Sequence, residues 1–182
     1  MRPTPETEIR LVDEEGRDAP AGEAGEILLR APFVMKGYSD PALTAETLLP
    51  GGWLRTRDIG RFDADGYLTL VDRTSDMIVT GGYNVYPREV EDVLAGHEAV
   101  AQAAVVGLPD ERWGEIVTAF VVLHRGAAAD EAALIAHAHA HLAGYKAPKS
   151  VRFVDSIPLS AVGKPLRRAL REPFWAGRER RI

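Results

Sequence analysis

Asp58 and Lys164 are the two residues whose surroundings most suggest chemistry. Asp58 ends the segment Thr56-Arg57-Asp58, and a carboxylate can accept hydrogen bonds from both hydroxyls of a cis-diol such as a ribose. Lys164 lies between a glycine and Pro165. Residue type alone favours ordinary roles, since an aspartate after a strand is usually a turn residue and a loop lysine is usually solvated. The surrounding segments must therefore decide between these roles.

The segment around Lys164 is not a P-loop. A P-loop has the pattern Gly-x₄-Gly-Lys-Ser/Thr, in which backbone N–H groups hold phosphates and the hydroxyl binds Mg²⁺. Here Pro158 stands in place of the first glycine, and Pro165 stands in place of the hydroxyl residue. A role for Lys164 must therefore come from another context.

Three histidines, His137, His139 and His141, raise the question of a metal site. His137 and His141 are four residues apart, on one face of a predicted helix. Zinc needs at least three protein ligands, and no third ligand is suggested nearby. The apolar residues of this helix form their own stripe, Leu134, Ile135, Ala138 and Leu142. We therefore expect the histidines on the solvated side and no metal.

The segment 67–91 organises the rest of the chain. It begins as a strand at 67–71 and crosses a polar joint at 72–76. Two short β-prone runs then flank Gly81-Gly82, which predicts a tight hairpin because primed turns need positive φ. Pro87 suits the first position of a following helix. The order is strand, joint, hairpin and helix.

The two sides of the joint predict different kinds of structure. Residues 1–73 indicate short strands, tight turns and one short helix near Pro41, with too few strands to close a sheet alone. Residues 74–182 predict an α+β domain that has a three-stranded sheet, helices and the hairpin. Its strands are expected at 99–107, 115–123 and 151–154, and its helices at 87–94, at 130–143 and after Pro165. The predicted domain boundary is thus at residue 73.

Composition limits the possible partners. The chain has 182 residues, 46% of them apolar, which is enough for an ordinary core. A net charge of −5 argues against nucleic acid or an anionic membrane as the main partner. The absence of cysteine excludes disulfides, cysteine metal sites and thiol nucleophiles. No signal peptide or membrane span is indicated, so a cytoplasmic protein is expected.

The central segment closely resembles the hinge region of the adenylate-forming ligases, which include acyl- and aryl-CoA synthetases. The residues that carry the resemblance are Asp72-Arg73, Asp76, Ile78, Gly81-Gly82, Asn84, Pro87 and Glu89-Val90-Glu91. Gly163-Lys164 and the basic residues after it resemble the terminal motif of the same family. The resemblance covers nearly the whole chain, but only the C-terminal portion of such an enzyme. It implies a complementary N-terminal domain as a partner.

The resemblance also implies roles for individual residues. Asp58 and Arg73 would contact the ribose of ATP, although Arg57 stands where the family has glycine. Ser75 would be the hinge residue, where the family usually has aspartate or lysine. Lys164 would neutralise charge on the α-phosphate and on the attacking carboxylate. The hairpin glycines, Gly81 and Gly82, would line the tunnel that holds the pantetheine arm of CoA.

The implied activity is that of an acid–CoA ligase with ATP/AMP, CoA and Mg²⁺, the last bound mainly by parts of the enzyme outside this chain. The tail is most similar to bacterial fatty-acid–CoA ligases. Two alternatives stay open: an adenylation module that loads a carrier protein, and a non-catalytic truncated module or partner-binding protein. The isolated chain is expected to be inactive.

Overall fold

The chain folds as two units, Met1–Ser75 and Asp76–Ile182, in the computed structural model, which describes residues 1–161 and 163–177. The division falls inside a short 3₁₀ turn, Thr74–Asp76, within the polar joint that the sequence indicates at 72–76. Both units contain strands and helices, so the predicted α+β class is confirmed.

The first unit is an antiparallel five-stranded sheet with one helix. In chain order its elements are β1 (Glu8–Val12), β2 (Ala24–Arg30), α1 (Pro41–Thr47), β3 (Leu48–Leu49), β4 (Trp53–Phe62) and β5 (Leu68–Arg73). β1 pairs with β2 and β2 with β4, while β3 and β5 both pair with β4. The strand order is open, as expected of a segment with too few strands to close a sheet. Its buried apolar cluster is small and consists of Leu11, Ile27 and Leu68.

Within its described residues, the second unit contains another five-stranded sheet and three helices. In chain order its elements are β6 (Ile78–Thr80), β7 (Tyr83–Val85), α2 (Pro87–Ala95), β8 (Val100–Asp110), β9 (Gly114–Leu123), α3 (Glu131–His141), β10 (Ser150–Phe153) and α4 (Arg167–Trp175). The sheet order is β10-β9-β6-β7, and β8 also pairs with β9. β10 is parallel to β9, whereas the other pairs are antiparallel. Strand β9 is central, which explains its near-continuous apolar sequence.

The hairpin and the three predicted strands form one sheet rather than two separate elements. Thr80 of β6 pairs with Gly114 of β9, and the Gly81 N–H donates to the Trp113 carbonyl at 2.9 Å. The sequence could not show this join, because a single backbone pairing leaves no pattern of side chains. This pairing attaches strand β6 of the hairpin to the start of β9.

Helix α3 begins at a side-chain cap, whereas α4 has no side-chain cap. Helix α3 begins after Asp130, whose carboxylate accepts a hydrogen bond from Ala133 N–H at 2.7 Å. Helix α4 begins at Arg167 rather than at Pro165, because Pro165 pairs back with Leu159 in an isolated β-bridge. None of the helices in the described part of the chain is long and apolar enough to cross a membrane.

Candidate functional site

Asp58 and Arg73 face each other across β4 and β5 of the first unit. Arg73 Nε lies 3.2 Å from Asp58 Oδ1, and the two side chains are 67% and 36% exposed. Thr56 Oγ1 donates to the Ile27 carbonyl at 2.8 Å and accepts from Asp58 N–H at 3.1 Å, which fixes the backbone there. A partly exposed carboxylate beside a guanidinium offers both acceptors and donors to a diol.

Arg57 has the backbone conformation that a glycine would permit. Its φ is 61°, in the left-handed region that costs a residue with a Cβ about 1 kcal/mol. The Arg57 carbonyl accepts a hydrogen bond from Thr74 Oγ1 at 3.1 Å, and its guanidinium lies 3.2 Å from the Glu46 carboxylate. Arg57 therefore occupies a left-handed position directly before Asp58.

Ser75, the predicted hinge residue, lies at the division between the units. It is the last residue of the first unit, is exposed, and belongs to the 3₁₀ turn Thr74–Asp76. Its position thus coincides with the point where the backbone passes from one unit to the other.

Gly81 and Gly82 form the predicted two-residue turn, with Thr80 opposite Tyr83. Their φ angles of 58° and 83° are both left-handed, as a type I′ turn requires. A Cβ on Gly81 would lie 2.6 Å from Cε3 of Trp113, whereas a Cβ on Gly82 would meet nothing within 4 Å. A side chain at 81 would therefore have to displace the Trp113 ring, while position 82 presents bare backbone to open space.

The Glu115 side chain binds the backbone of hairpin strand β6. The sequence did not lead us to predict this role. The Glu115 carboxylate is buried, with the residue 5% exposed, and accepts a hydrogen bond from Val79 N–H at 3.2 Å. Gly107 on the paired strand makes room, since a Cβ there would lie 2.8 Å from the carboxylate carbon of Glu115. Gly107 could have indicated this contact from the sequence, because a glycine inside an apolar strand often marks a site that another group approaches closely.

Lys164 lies in a tight loop whose backbone is held by Ser160. Ser160 N–H donates to the Lys164 carbonyl at 2.8 Å, and Lys164 N–H donates to Ser160 Oγ at 3.1 Å. Gly163 has a φ of 75°, which the turn needs. The Lys164 side chain is exposed and makes no ion pair with the residues that the structure describes. Its charge is therefore available to an anion while its main chain is fixed.

The histidines form no metal site within residues 1–161 and 163–177. The prediction that these histidines lie on the solvated side was wrong for His137, which is half-buried because its Nε2 hydrogen-bonds the Val93 carbonyl of α2 at 2.9 Å. Its ring contacts those of His97 and His141, with centroid distances of 5.2 and 4.7 Å. His139 and His141 are exposed as expected. The cluster thus joins α2 to α3.

Two separate ranges of the chain match known families. Residues 89–164 match the family described as AMP-binding enzyme C-terminal domain, and residues 1–39 match the family described as AMP-binding enzyme. The chain belongs to the adenylate-forming, AMP-binding enzymes. Lys164 is the last residue of the range that matches the C-terminal domain family. The other site residues, Asp58, Arg73, Ser75, Gly81 and Gly82, lie between the two matched ranges.

Known AMP-binding enzymes resemble the chain along almost its full length. The medium/long-chain-fatty-acid–CoA ligase FadD8 of Mycobacterium tuberculosis is 49% identical over 100% of this chain and 33% of that protein. The fatty acid–[acyl-carrier-protein] ligase ScoC of Streptomyces coeruleorubidus is 45% identical over 99% of this chain and 35% of that protein. ATP-bound MatB from Rhodopseudomonas palustris superposes with a TM-score of 0.89 and 37% identity over 95% of this chain and 35% of that chain. The chain therefore spans about a third of the length of the relatives it matches.

Proposed function

We propose that this chain is the C-terminal part of an ATP-dependent acid–CoA ligase. In the first half-reaction a carboxylate oxygen attacks the α-phosphorus of ATP, pyrophosphate leaves, and an acyl-adenylate forms. In the second, the CoA thiol attacks the acyl carbon and AMP leaves. Within this enzyme the first unit is the β-rich end of the large ATP-binding domain, and the second unit is the mobile C-terminal domain.

The geometry of Lys164 carries the proposal. An exposed ammonium on a fixed main chain suits the neutralisation of negative charge that brings a carboxylate and a phosphate together. Asp58 accepts hydrogen bonds from the ribose hydroxyls, and Arg73 donates beside it. Among the described residues no cluster of three His, Cys, Asp or Glu side chains could hold a metal ion.

Lys164→Ala tests the first half-reaction in a complete ligase that contains this sequence as its C-terminal part. We expect acid-dependent pyrophosphate exchange to fall by about 10²–10³-fold, the scale for removing a preorganised electrostatic stabiliser. Thioester formation from supplied acyl-adenylate should stay nearly unchanged. Arg168→Ala is the matched control, since Arg168 is 80% exposed and pairs with Glu172 on its own helix. Normal exchange in Lys164→Ala, or exchange by the isolated 182-residue chain, would contradict the proposal.

Gly82→Leu tests the second half-reaction in the same enzyme. No neighbour lies within 4 Å of a Cβ at this position, so leucine would project from the hairpin without an internal clash. If the hairpin lines the pantetheine path, leucine should slow thioester formation while adenylation is retained. Gly82→Ala is the control, because it shares the left-handed φ of 83° but adds little bulk. Equal slowing of both half-reactions by leucine would assign Gly82 a merely structural role.

Transfer to a carrier protein is the second candidate function. It is favoured by the 45% identity to ScoC, which ligates a fatty acid to an acyl-carrier protein. Both acceptors offer the same phosphopantetheine thiol, so the two functions share one chemistry. The complete ligase would be given purified acyl-adenylate with either CoA or a phosphopantetheinylated carrier protein. Comparing the two rates of thioester formation would show which thiol reacts faster.

A further inference from the structure

An ion-pair network in the second unit connects the helix after Lys164 with the residue that begins the unit. The Arg167 guanidinium donates from Nε and Nη2 to the two carboxylate oxygens of Glu91, at 2.9 and 2.6 Å. Its Nη1 donates to Asp76 Oδ2 at 3.0 Å. The side chains of Arg167, Glu91 and Asp76 are only 15%, 13% and 21% exposed. One arginine therefore joins two carboxylates from distant parts of the chain.

This network is geometrically specific. Glu91 Oε1 also accepts a hydrogen bond from Val105 N–H on β8 at 2.8 Å, so its carboxylate is held by a strand as well as by α4. A planar guanidinium can bind one carboxylate through two nitrogens and a second through the third, and a lysine ammonium lacks this fork. Arg171 adds a weaker contact, 3.8 Å from Asp76 Oδ1. Arg167 is thereby held by three hydrogen bonds to two carboxylates.

Lys164 is close to this fixed point along the chain. Only Pro165 and Leu166 separate it from Arg167, and Leu166 N–H donates to the Pro158 carbonyl at 2.8 Å. The loop is thus closed at its base by a hydrogen bond and held on its C-terminal side by the arginine. At the other end of the network, Asp76 directly follows Ser75.

We propose that Arg167 is a positioning residue that couples the Lys164 loop to Asp76, so that the lysine keeps a fixed geometry relative to the first residue of the second unit. A rotation of this unit about Ser75 then carries Lys164 with it as part of one body. The coupling itself is a property of this chain. Its consequence for adenylation rests on the proposed function.

Hydrogen exchange on the 182-residue chain tests the coupling. Asp76→Asn keeps the shape of the side chain but removes its charge, and we expect the Ser160 and Lys164 amides to exchange at least about tenfold faster. The amide of Val121, buried in the central strand β9 and outside this network, should change much less, which separates a local effect from general destabilisation. If the loop amides and the Val121 amide change in proportion, or the loop amides do not change, the coupling is refuted.

Arg167→Lys tests the consequence for adenylation. It keeps the positive charge beside the Glu91 and Asp76 carboxylates but removes the planar guanidinium. In the complete ligase we expect pyrophosphate exchange to fall about tenfold in kcat, with little change in the KM for ATP, while Arg168→Lys stays at the unmodified rate. Equal rates for the two variants would overturn the positioning role. Failure of the proposed function gives a different result: Lys164→Ala would itself leave pyrophosphate exchange intact, whatever the amides show.

Discussion

Gly107→Ala should distort the support of the glycine hairpin. The added Cβ would lie 2.8 Å from the carboxylate carbon of Glu115 and 3.1 Å from Cγ2 of Ile78, both in the interior of the second unit. Gly107 has no left-handed φ, so alanine brings no backbone strain of its own. The loss of stability therefore reports the overlap between the new side chain and its neighbours, chiefly the Glu115 carboxylate.

The expected magnitude has two parts. Overpacking a buried site costs about 1–3 kcal/mol. If the Glu115 carboxylate moves away, Val79 N–H loses its partner, which costs about 1–3 kcal/mol more. The free energy of unfolding of the second unit should therefore fall by about 2–6 kcal/mol. Glu115→Ala combined with Gly107→Ala removes the overlap, so the double variant should be at least about 1 kcal/mol more stable than the sum of the single effects.

The assay is hydrogen exchange of the slowest amides of β8 and β9, which reports unfolding of the second unit separately from the first. The Val79 amide should show an additional acceleration in both single variants, because Glu115→Ala removes its acceptor and Gly107→Ala displaces it. Additivity of the two substitutions within about 0.5 kcal/mol would refute the reasoning, since it would mean that Glu115 does not compete with a side chain at 107.

Three further predictions concern the hairpin, the first unit and its charges. Gly81→Ala should destabilise the second unit more than Gly82→Ala, because both share a left-handed φ but only the former meets Trp113, and urea unfolding of the two variants compares them directly. The first unit has the smaller buried apolar cluster, so its amides should exchange faster than those of the second, and equal protection would contradict this. The hydrogen bond from Arg30 holds the pKa of Glu8 below its usual value of 4.5; the pair therefore stabilises the first unit above this pH, and the contribution is lost as pH falls through the lowered pKa. Glu8→Gln should remove this part of the pH dependence of the urea midpoint, and an unchanged dependence would contradict the assignment.

Local chemistry allowed much of this protein to be predicted from its sequence. The turn at Gly81-Gly82 was predictable because positive φ at two successive residues is a local requirement that glycine meets. Helix α2 followed from Pro87, whose fixed φ suits the first helical position. The family was predictable for a related reason, since its hinge and terminal motifs are short runs of adjacent residues.

Only the tertiary structure decided which distant residues meet. Asp58 lies opposite Arg73 because of the register of β4 and β5, and a shift of one residue would place them on opposite faces. Glu115 and Arg167 looked like ordinary charged residues, yet Glu115 is buried and Arg167 is partly buried against partners far along the chain. A sequence pattern indicates which residue types usually face water. It does not show which partner forms the hydrogen bonds of a charged residue that is removed from water. That partner is set by strand pairing and helix packing, which depend on the whole fold.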